Sequence, residues 1–208
     1  FGGHAKRNEF EVDGRKLICY GGSQSIDTPG HYSAVATQML NDLGIVTERF
    51  YDYYDQEYFS KRNLGRGLYF SKQQYGSDVT APDVMRGFGA EGGGNIEESV
   101  GRYPVTEASK AAFLRLLGEE RDYLPDMSRE EKIALLRRTS YTDFLQRHAG
   151  MPKEVTDILR DGIRGFWGVG WDSLSALEGY RLGMPATAQL GIGELTNESP
   201  GRDEPYIF

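Results

Sequence analysis

The sequence has little or nothing of several features on which common protein classes depend. Its 208 residues include one cysteine, Cys19, so no disulfide can form within the chain. No apolar run approaches the length of a membrane span, and we expect no transmembrane segment. The histidines His4, His31 and His148 lack the spacing of metal ligands, so no metal site is predicted. The sequence also has no Gly-x-Ser-x-Gly nucleophile elbow and no Cys–His pair in a catalytic setting.

Positive charge is scarce relative to negative charge. The chain has 24 lysine and arginine residues against 31 aspartate and glutamate residues, which gives a formal net charge of −7. This balance repels a polyanion, so we expect no nucleic-acid partner. A cationic ligand would instead be attracted before contact.

Glycine and aromatic residues are, by contrast, abundant. The chain contains 27 glycines, 13 tyrosines and 10 phenylalanines, and glycine is present at about twice its average usage. Because aromatic residues are depleted in disordered chains, the composition favours a folded protein with many tight backbone passages. The length suits one large domain or two small ones.

The first third of the chain is predicted to be rich in strands. Residues 7–20 alternate apolar and polar residues around Asp13-Gly14, which predicts a hairpin with a two-residue turn. Thr28 and Pro29 are typical of a helix start, and the apolar stripe that follows runs to Gly44.

Further along, strands are expected at about Val46–Tyr51 and Gly67–Phe70, and residues 76–104 are predicted to form a long loop. From Thr106 the pattern is helical. Ser128 and Glu131 have the spacing of a capping box, and Asp172 is predicted to cap the last helix. The fold class that follows for these residues is α+β.

Two glycine pairs flank the predicted hairpin. Gly2 and Gly3 precede it in "FGGHAKR", and Gly21 and Gly22 follow it in "YGGSQSI". Glycine at such points lets the backbone approach a bulky planar or phosphorylated ligand closely. A plain loop before a strand would give the same short pattern, but the two pairs around one hairpin favour ligand contact.

The residues of both pairs carry a family resemblance. "FGGHAKR" resembles the Gly-Gly-Arg-type turn of flavin-dependent amine oxidases, and "YGGSQSI" resembles the turn of that family that passes beside the flavin. Most of the chain, including "FWGVGWDSLSALEGYRLG" and "LGIGELTNESPGRDEPYIF", is similar to bacterial spermidine dehydrogenases and related flavoprotein oxidoreductases. The resemblance implies FAD as the cofactor. It assigns to cofactor binding the residues Gly2, Gly3, His4, Lys6, Gly21, Gly22, Ser23 and Gln24.

One of these residues departs from the family pattern. His4 stands where many amine oxidases have arginine, so Lys6 or Arg7 is an alternative source of positive charge for the phosphates. Some members of the family also carry haem. We assign neither His31 nor His148 as a haem ligand.

The resemblance also implies a domain organisation. Residues 1–30 are expected to be part of the FAD-binding domain, 31–183 a substrate or cap region that is helical from about 105, and 184–208 an irregular segment leading back to the flavin domain. The family's dinucleotide fingerprint and ribose-binding acid would precede residue 1. We therefore expect an internal part of a longer α/β protein with a Rossmann-type FAD domain, inactive on its own. "GFGAEG" at 87–92 matches the fingerprint formally, but its flanks do not, and it receives no role.

The reaction implied by the resemblance is oxidation of a polyamine carbon–nitrogen bond by hydride transfer to the flavin. Because the flavin carries the chemistry, no catalytic residue is assigned. Residues 49–59, "RFYDYYDQEYF", alternate phenol rings with carboxylates, which suits a cationic substrate. Asp52, Tyr54 and Asp55 are the predicted substrate-binding residues, although an exposed strand and loop would have a similar composition. The compartment, bacterial periplasm or cytoplasm, stays open.

Two other functions remain alternatives. A flavin desaturase or lipid oxidoreductase would share the glycine turns, but an apolar channel would replace the carboxylates. A non-catalytic helical interaction module would account for residues 105–183 and leave the glycine turns without a purpose. Trp167 and Trp171 are expected to pack in a core, with the lining of a ligand tunnel as the alternative.

Overall fold

A computed structural model describes residues 7–22, 26, 29–85 and 95–193. The chain divides into two compact units, and the division falls between Asn63 and Leu64. Each unit contains one antiparallel pair of strands together with helices, and the second unit is mainly helical. The α+β class is therefore confirmed for this chain. The flavoprotein domain boundaries near residues 30 and 183 stay predictions.

The first unit begins with the predicted hairpin. Strand β1 (Arg7–Val12) pairs antiparallel with strand β2 (Arg15–Tyr20). Asp13 and Gly14 between them have φ angles of 51° and 72°. Positive φ at both positions is what a type I′ turn requires, so the Asp-Gly signal is confirmed.

Helix α1 (Ala34–Asp42) begins later than predicted. Its N-cap is Ser33, whose hydroxyl accepts a hydrogen bond from the Ala36 N–H at 3.3 Å. A separate 3-10 turn occupies Pro29–His31. Pro29 is therefore not the first residue of this helix, because Ser33 offers a capping oxygen directly before the apolar stripe.

The predicted cap Thr28 lies outside the described residues, and the helix start at Ala34 shows that Thr28 does not cap α1. The end of the helix agrees with the sequence. Gly44 follows the C-cap with a φ of 69°, the conformation typical of a helix C-terminus.

The prediction of a strand at Val46–Tyr51 is wrong. A 3-10 turn at Thr47–Arg49 leads directly into the short helix α2 (Phe50–Tyr53). None of these residues is buried, so an extended conformation there would gain no stabilisation from packing against a sheet face. A further 3-10 turn, Ser60–Arg62, is the last described element of the unit.

The second unit opens with a small sheet. Strand β3 (Gly67–Phe70) is followed by helix α3 (Lys72–Tyr75) and pairs antiparallel with strand β4 (Val79–Pro82). The predicted strand at 67–70 is confirmed. The prediction of a long loop at 76–104 is wrong in part, because these residues include β4 and helix α4 (Ile96–Gly101). "GFGAEG" at 87–92 lies outside the described residues.

The rest of the second unit is helical, as the sequence indicates. Its helices are α5 (Glu107–Gly118), α6 (Arg129–Arg138), α7 (Tyr141–Arg147), α8 (Lys153–Arg160), α9 (Arg164–Trp167) and α10 (Ala176–Arg181). The capping box of Ser128 and Glu131 forms with both of its hydrogen bonds. The N-cap of α10 is Ser175 rather than Asp172, because the Ser175 hydroxyl accepts from the Glu178 N–H at 3.3 Å.

All the buried hydrophobic side chains of the described residues belong to the second unit. At the centre of this core, the ring centroids of Tyr141 and Trp171 lie 4.9 Å apart. The Tyr141 hydroxyl donates a hydrogen bond to the Pro185 carbonyl at 2.9 Å, which satisfies the one polar atom of that side chain. Burial raises the pKa of Tyr141 well above its ordinary value.

A buried lysine joins helix α6 to the last described turn, a 3-10 turn at Ala188–Leu190. The Lys132 ammonium donates to a carboxylate oxygen of Asp122 at 2.6 Å and to the Leu190 carbonyl at 2.8 Å. On the same helix, the Arg129 Nε donates to the Ile192 carbonyl at 2.7 Å. These charge-assisted bonds hold residues 190–192 against α6.

Helix α10 packs closely on the Tyr141 ring through Gly179, where an added Cβ would lie 2.9 Å from Tyr141 Cδ2. We expect Gly179→Ala to lower the free energy of unfolding by about 1–3 kcal/mol, because the buried ring is held by its hydrogen bond and cannot move aside. Gly118→Ala is the matched control. Gly118 ends α5 with open space around it, so alanine there should be neutral or stabilising by up to about 1 kcal/mol. Equal losses in denaturant titrations of both variants would contradict the packing.

A carboxylate links helices α5 and α8. One oxygen of Glu154 accepts hydrogen bonds from the Ser109 hydroxyl at 2.5 Å, the Thr106 hydroxyl at 2.6 Å and the Thr106 N–H at 3.3 Å. The bond from Ser109, followed by that from Thr106, holds the pKa of Glu154 below its ordinary value of 4.5. The charged form of Glu154 is thus the form that the fold stabilises.

This geometry predicts a pH dependence. Because the pKa of Glu154 is lower in the folded chain, its contribution to stability is present at neutral pH and is lost as the pH falls through the folded pKa. Glu154→Gln should therefore be less stable than the unmodified chain at pH 7, and the difference should shrink as the pH falls below 4.5. Glu120→Gln, at an exposed position, should change little at either pH. A Glu154→Gln difference that stays constant with pH would contradict the linkage.

Candidate cofactor and cation sites

The register of the hairpin brings its two ends together. Arg7 lies opposite Tyr20, so the backbone enters β1 and leaves β2 at one place. Gly21 and Gly22 follow immediately, and Gly22 has a φ of 125°. Only glycine adopts this conformation without strain, so the chain makes a turn at Gly22 that a side chain would disfavour.

The other six residues assigned to the cofactor are outside the described part of the chain. They are Gly2, Gly3, His4, Lys6, Ser23 and Gln24. Arg7 is described, and its guanidinium lies 2.6 Å from the Glu9 carboxylate, which also pairs with Lys16 at 2.7 Å. Exposed pairs of this kind contribute little, so they do not prevent Arg7 from contacting an anionic ligand.

One face of the hairpin is apolar and exposed. Phe10 lies opposite Leu17, and Val12 is on the same face; their exposed fractions are 56%, 48% and 52%. The opposite face carries Glu9, Glu11 and Lys16 together with Ile18, which is 45% exposed. An isolated two-stranded hairpin is marginally stable in water, so this apolar face needs another layer to cover it.

Helix α1 has a similar surface. Val35, Met39 and Leu43 follow each other at four-residue spacing, and 81%, 56% and 67% of their surfaces are exposed. No residue whose burial is described in the first unit is buried. The described part of this unit therefore has apolar surfaces without a core of its own.

The aromatic–acidic segment, residues 49–62, holds cations that the chain itself supplies. The Lys61 ammonium lies 2.8 Å from a carboxylate oxygen of Glu57 and 3.4 Å from one of Asp55. The hydrogen bond to Glu57, followed by that to Asp55, raises the pKa of Lys61. Asp55 also accepts the Glu57 N–H at 3.1 Å. Two carboxylates therefore converge on one ammonium group.

The rings of this segment also contact cations. The Arg62 guanidinium carbon lies 3.8 Å from the centroid of the Tyr58 ring, and Arg62 donates to the Tyr58 carbonyl at 2.8 Å. Arg49 lies 5.6 Å from the Tyr53 ring centroid and donates to its hydroxyl. Cation–π contact is favourable in such geometry. The segment can thus hold both ammonium and guanidinium groups.

The three predicted substrate-binding residues differ in their surroundings. Asp52, in α2, is exposed and has no ion-pair partner among the residues that the structure describes. Asp55 is paired with Lys61. Tyr54 is half-buried, and its ring centroid lies 6.0 Å from that of Tyr51. Asp52 is therefore the more available of the two carboxylates for an external cation.

Sequence reasoning missed the basic residues of this segment. Arg49 and Tyr53, Glu57 and Lys61, and Tyr58 and Arg62 are each four residues apart. That spacing brings side chains together on one face of a helical turn, and it was the signal that could have identified these internal partners.

The other candidate residues, Trp167, Trp171 and His148, each contact an aromatic side chain of the chain itself. Trp171 is buried in the core, as expected, whereas Trp167 is 42% exposed, with its ring centroid 6.0 Å from that of Phe166. The His148 ring stacks on Phe144, with 5.8 Å between the ring centroids.

Within the described ranges, no group of three or more His, Cys, Asp or Glu residues could hold a metal ion. No helix in those ranges is both long and apolar enough to cross a bilayer.

Comparison with known proteins gave no match, either to a protein-family model or to a curated protein. The functional assignment therefore depends on the residues and geometry of this chain.

Proposed function

We propose that the chain is part of an FAD-dependent oxidoreductase that oxidises a polyamine such as spermidine at a carbon–nitrogen bond. The observation that carries the proposal is the hairpin end at which Arg7 and Tyr20 pair. Its exit strand leads directly into Gly21 and Gly22, with Gly22 at a φ of 125°. Together with the glycine pair at 2–3, this arrangement suits close contact between the backbone and a flat cofactor.

The surfaces of the first unit support the flavin part of the proposal. The apolar faces of the hairpin and of α1 are uncovered in the described residues. In a longer protein with a Rossmann-type FAD domain, the remaining strands and helices of that domain would cover them. When bound, FAD would supply the hydride acceptor. The chain's own part is to bring backbone to the cofactor at Gly21 and Gly22, and positive charge to its phosphates from His4, Lys6 or Arg7.

The aromatic–acidic segment supports the substrate part. Its carboxylates already bind an ammonium group, that of Lys61, and its rings already bind guanidinium groups. An external polyamine needs the same two kinds of contact, with methylene groups against the rings and ammonium groups against oxygen. It would compete with Lys61 at Asp55 and meet Asp52 without such competition. The net charge of −7 would favour the approach of the polyamine.

The full-length protein provides the direct test. We expect it to purify with flavin absorbance that spermidine bleaches under anaerobic conditions. The isolated 208 residues should bind FAD weakly, because the fingerprint for adenine and pyrophosphate would lie outside them. A colourless full-length protein would exclude a flavin enzyme and favour the helical interaction module. Flavin that apolar substrates reduce and amines do not would favour the desaturase alternative.

Gly22 gives a sharper test of the cofactor position. Gly22→Val in the full-length protein should remove bound flavin with little loss of helix content, because a β-branched residue tolerates neither the positive φ nor the close approach. Gly3→Val should do the same. Gly65→Val is the control, since Gly65 has open space around it and no positive φ. Flavin content per folded protein and far-UV circular dichroism measure the two effects. Full flavin retention in both Gly22→Val and Gly3→Val would overturn the placement.

The substrate assignment predicts a change in KM. Asp52→Asn combined with Asp55→Asn should raise KM for spermidine a few-fold, because each exposed charge contact is worth about 0.2–1 kcal/mol. Because Asp55 already pairs with Lys61, Asp52→Asn alone should give most of the rise. The kcat should change little, since such contacts are similar in the ground and transition states.

A matched control separates local contact from overall charge. Asp13→Asn with Asp42→Asn removes the same charge outside the segment, at a turn position that tolerates asparagine and on the surface of α1. Steady-state kinetics at low and moderate salt compare the two pairs. An unchanged KM for the Asp52/Asp55 variant at both salts, or an equal rise in the control, would exclude the segment from the site.

A further inference from the structure

We draw no further inference here: the strongest candidate, the exposed apolar faces of hairpin β1–β2 and helix α1 in the first unit, carries none beyond the proposed function, because nothing in the described part of the chain shows what covers them.

Discussion

The turn at Asp13 and Gly14 determines where the candidate cofactor site can lie. Positive φ at both residues fixes a two-residue connection and, with it, the pairing of Arg7 with Tyr20. A slip of one residue between the strands would move Phe10 to the face that carries Ile18 and Lys16. It would also separate the strand ends from which the chain continues toward both glycine pairs. The geometry proposed for the cofactor therefore depends on this turn.

The two units differ in what holds them together. In the second unit, Tyr141, Trp171 and Gly179 form a closely packed centre, and the ammonium of Lys132 holds the last turn in place. The described residues of the first unit include a paired hairpin, a capped helix and an ion pair four residues apart, and none of those whose burial is described is buried. The buried core of the described residues thus lies in one unit, and the candidate binding residues lie in the other.

The sequence predicted elements where a local signal was unambiguous. Asp13-Gly14 required a tight turn, and Ser128 with Glu131 made a complete capping box. It misplaced helix starts where several capping residues compete, since Ser33 and Ser175 lie nearer the apolar stripe than Thr28 and Asp172. The prediction of a strand at 46–51 was wrong because aromatic residues favour strands only when a sheet face buries them. For the site, residue type indicated affinity for cations, and the four-residue spacing of Glu57 and Lys61 could have indicated one internal ion pair. The second contact of Lys61, with Asp55 six residues earlier, was visible only in the structure.

The internal pairing of residues 49–62 has a consequence for how a ligand would recognise the segment. The segment contains three basic residues, Arg49, Lys61 and Arg62, and three acidic residues, Asp52, Asp55 and Glu57, so its formal charge is zero. At distances larger than the segment itself, its electric field is that of a neutral group of charges and decays faster than the field of a single negative charge. Long-range attraction of a cation must then come from acidic residues elsewhere. A polyamine bound at the segment, as proposed, would therefore be recognised at short range, by contacts of its amino groups with individual carboxylate oxygens such as that of Asp52.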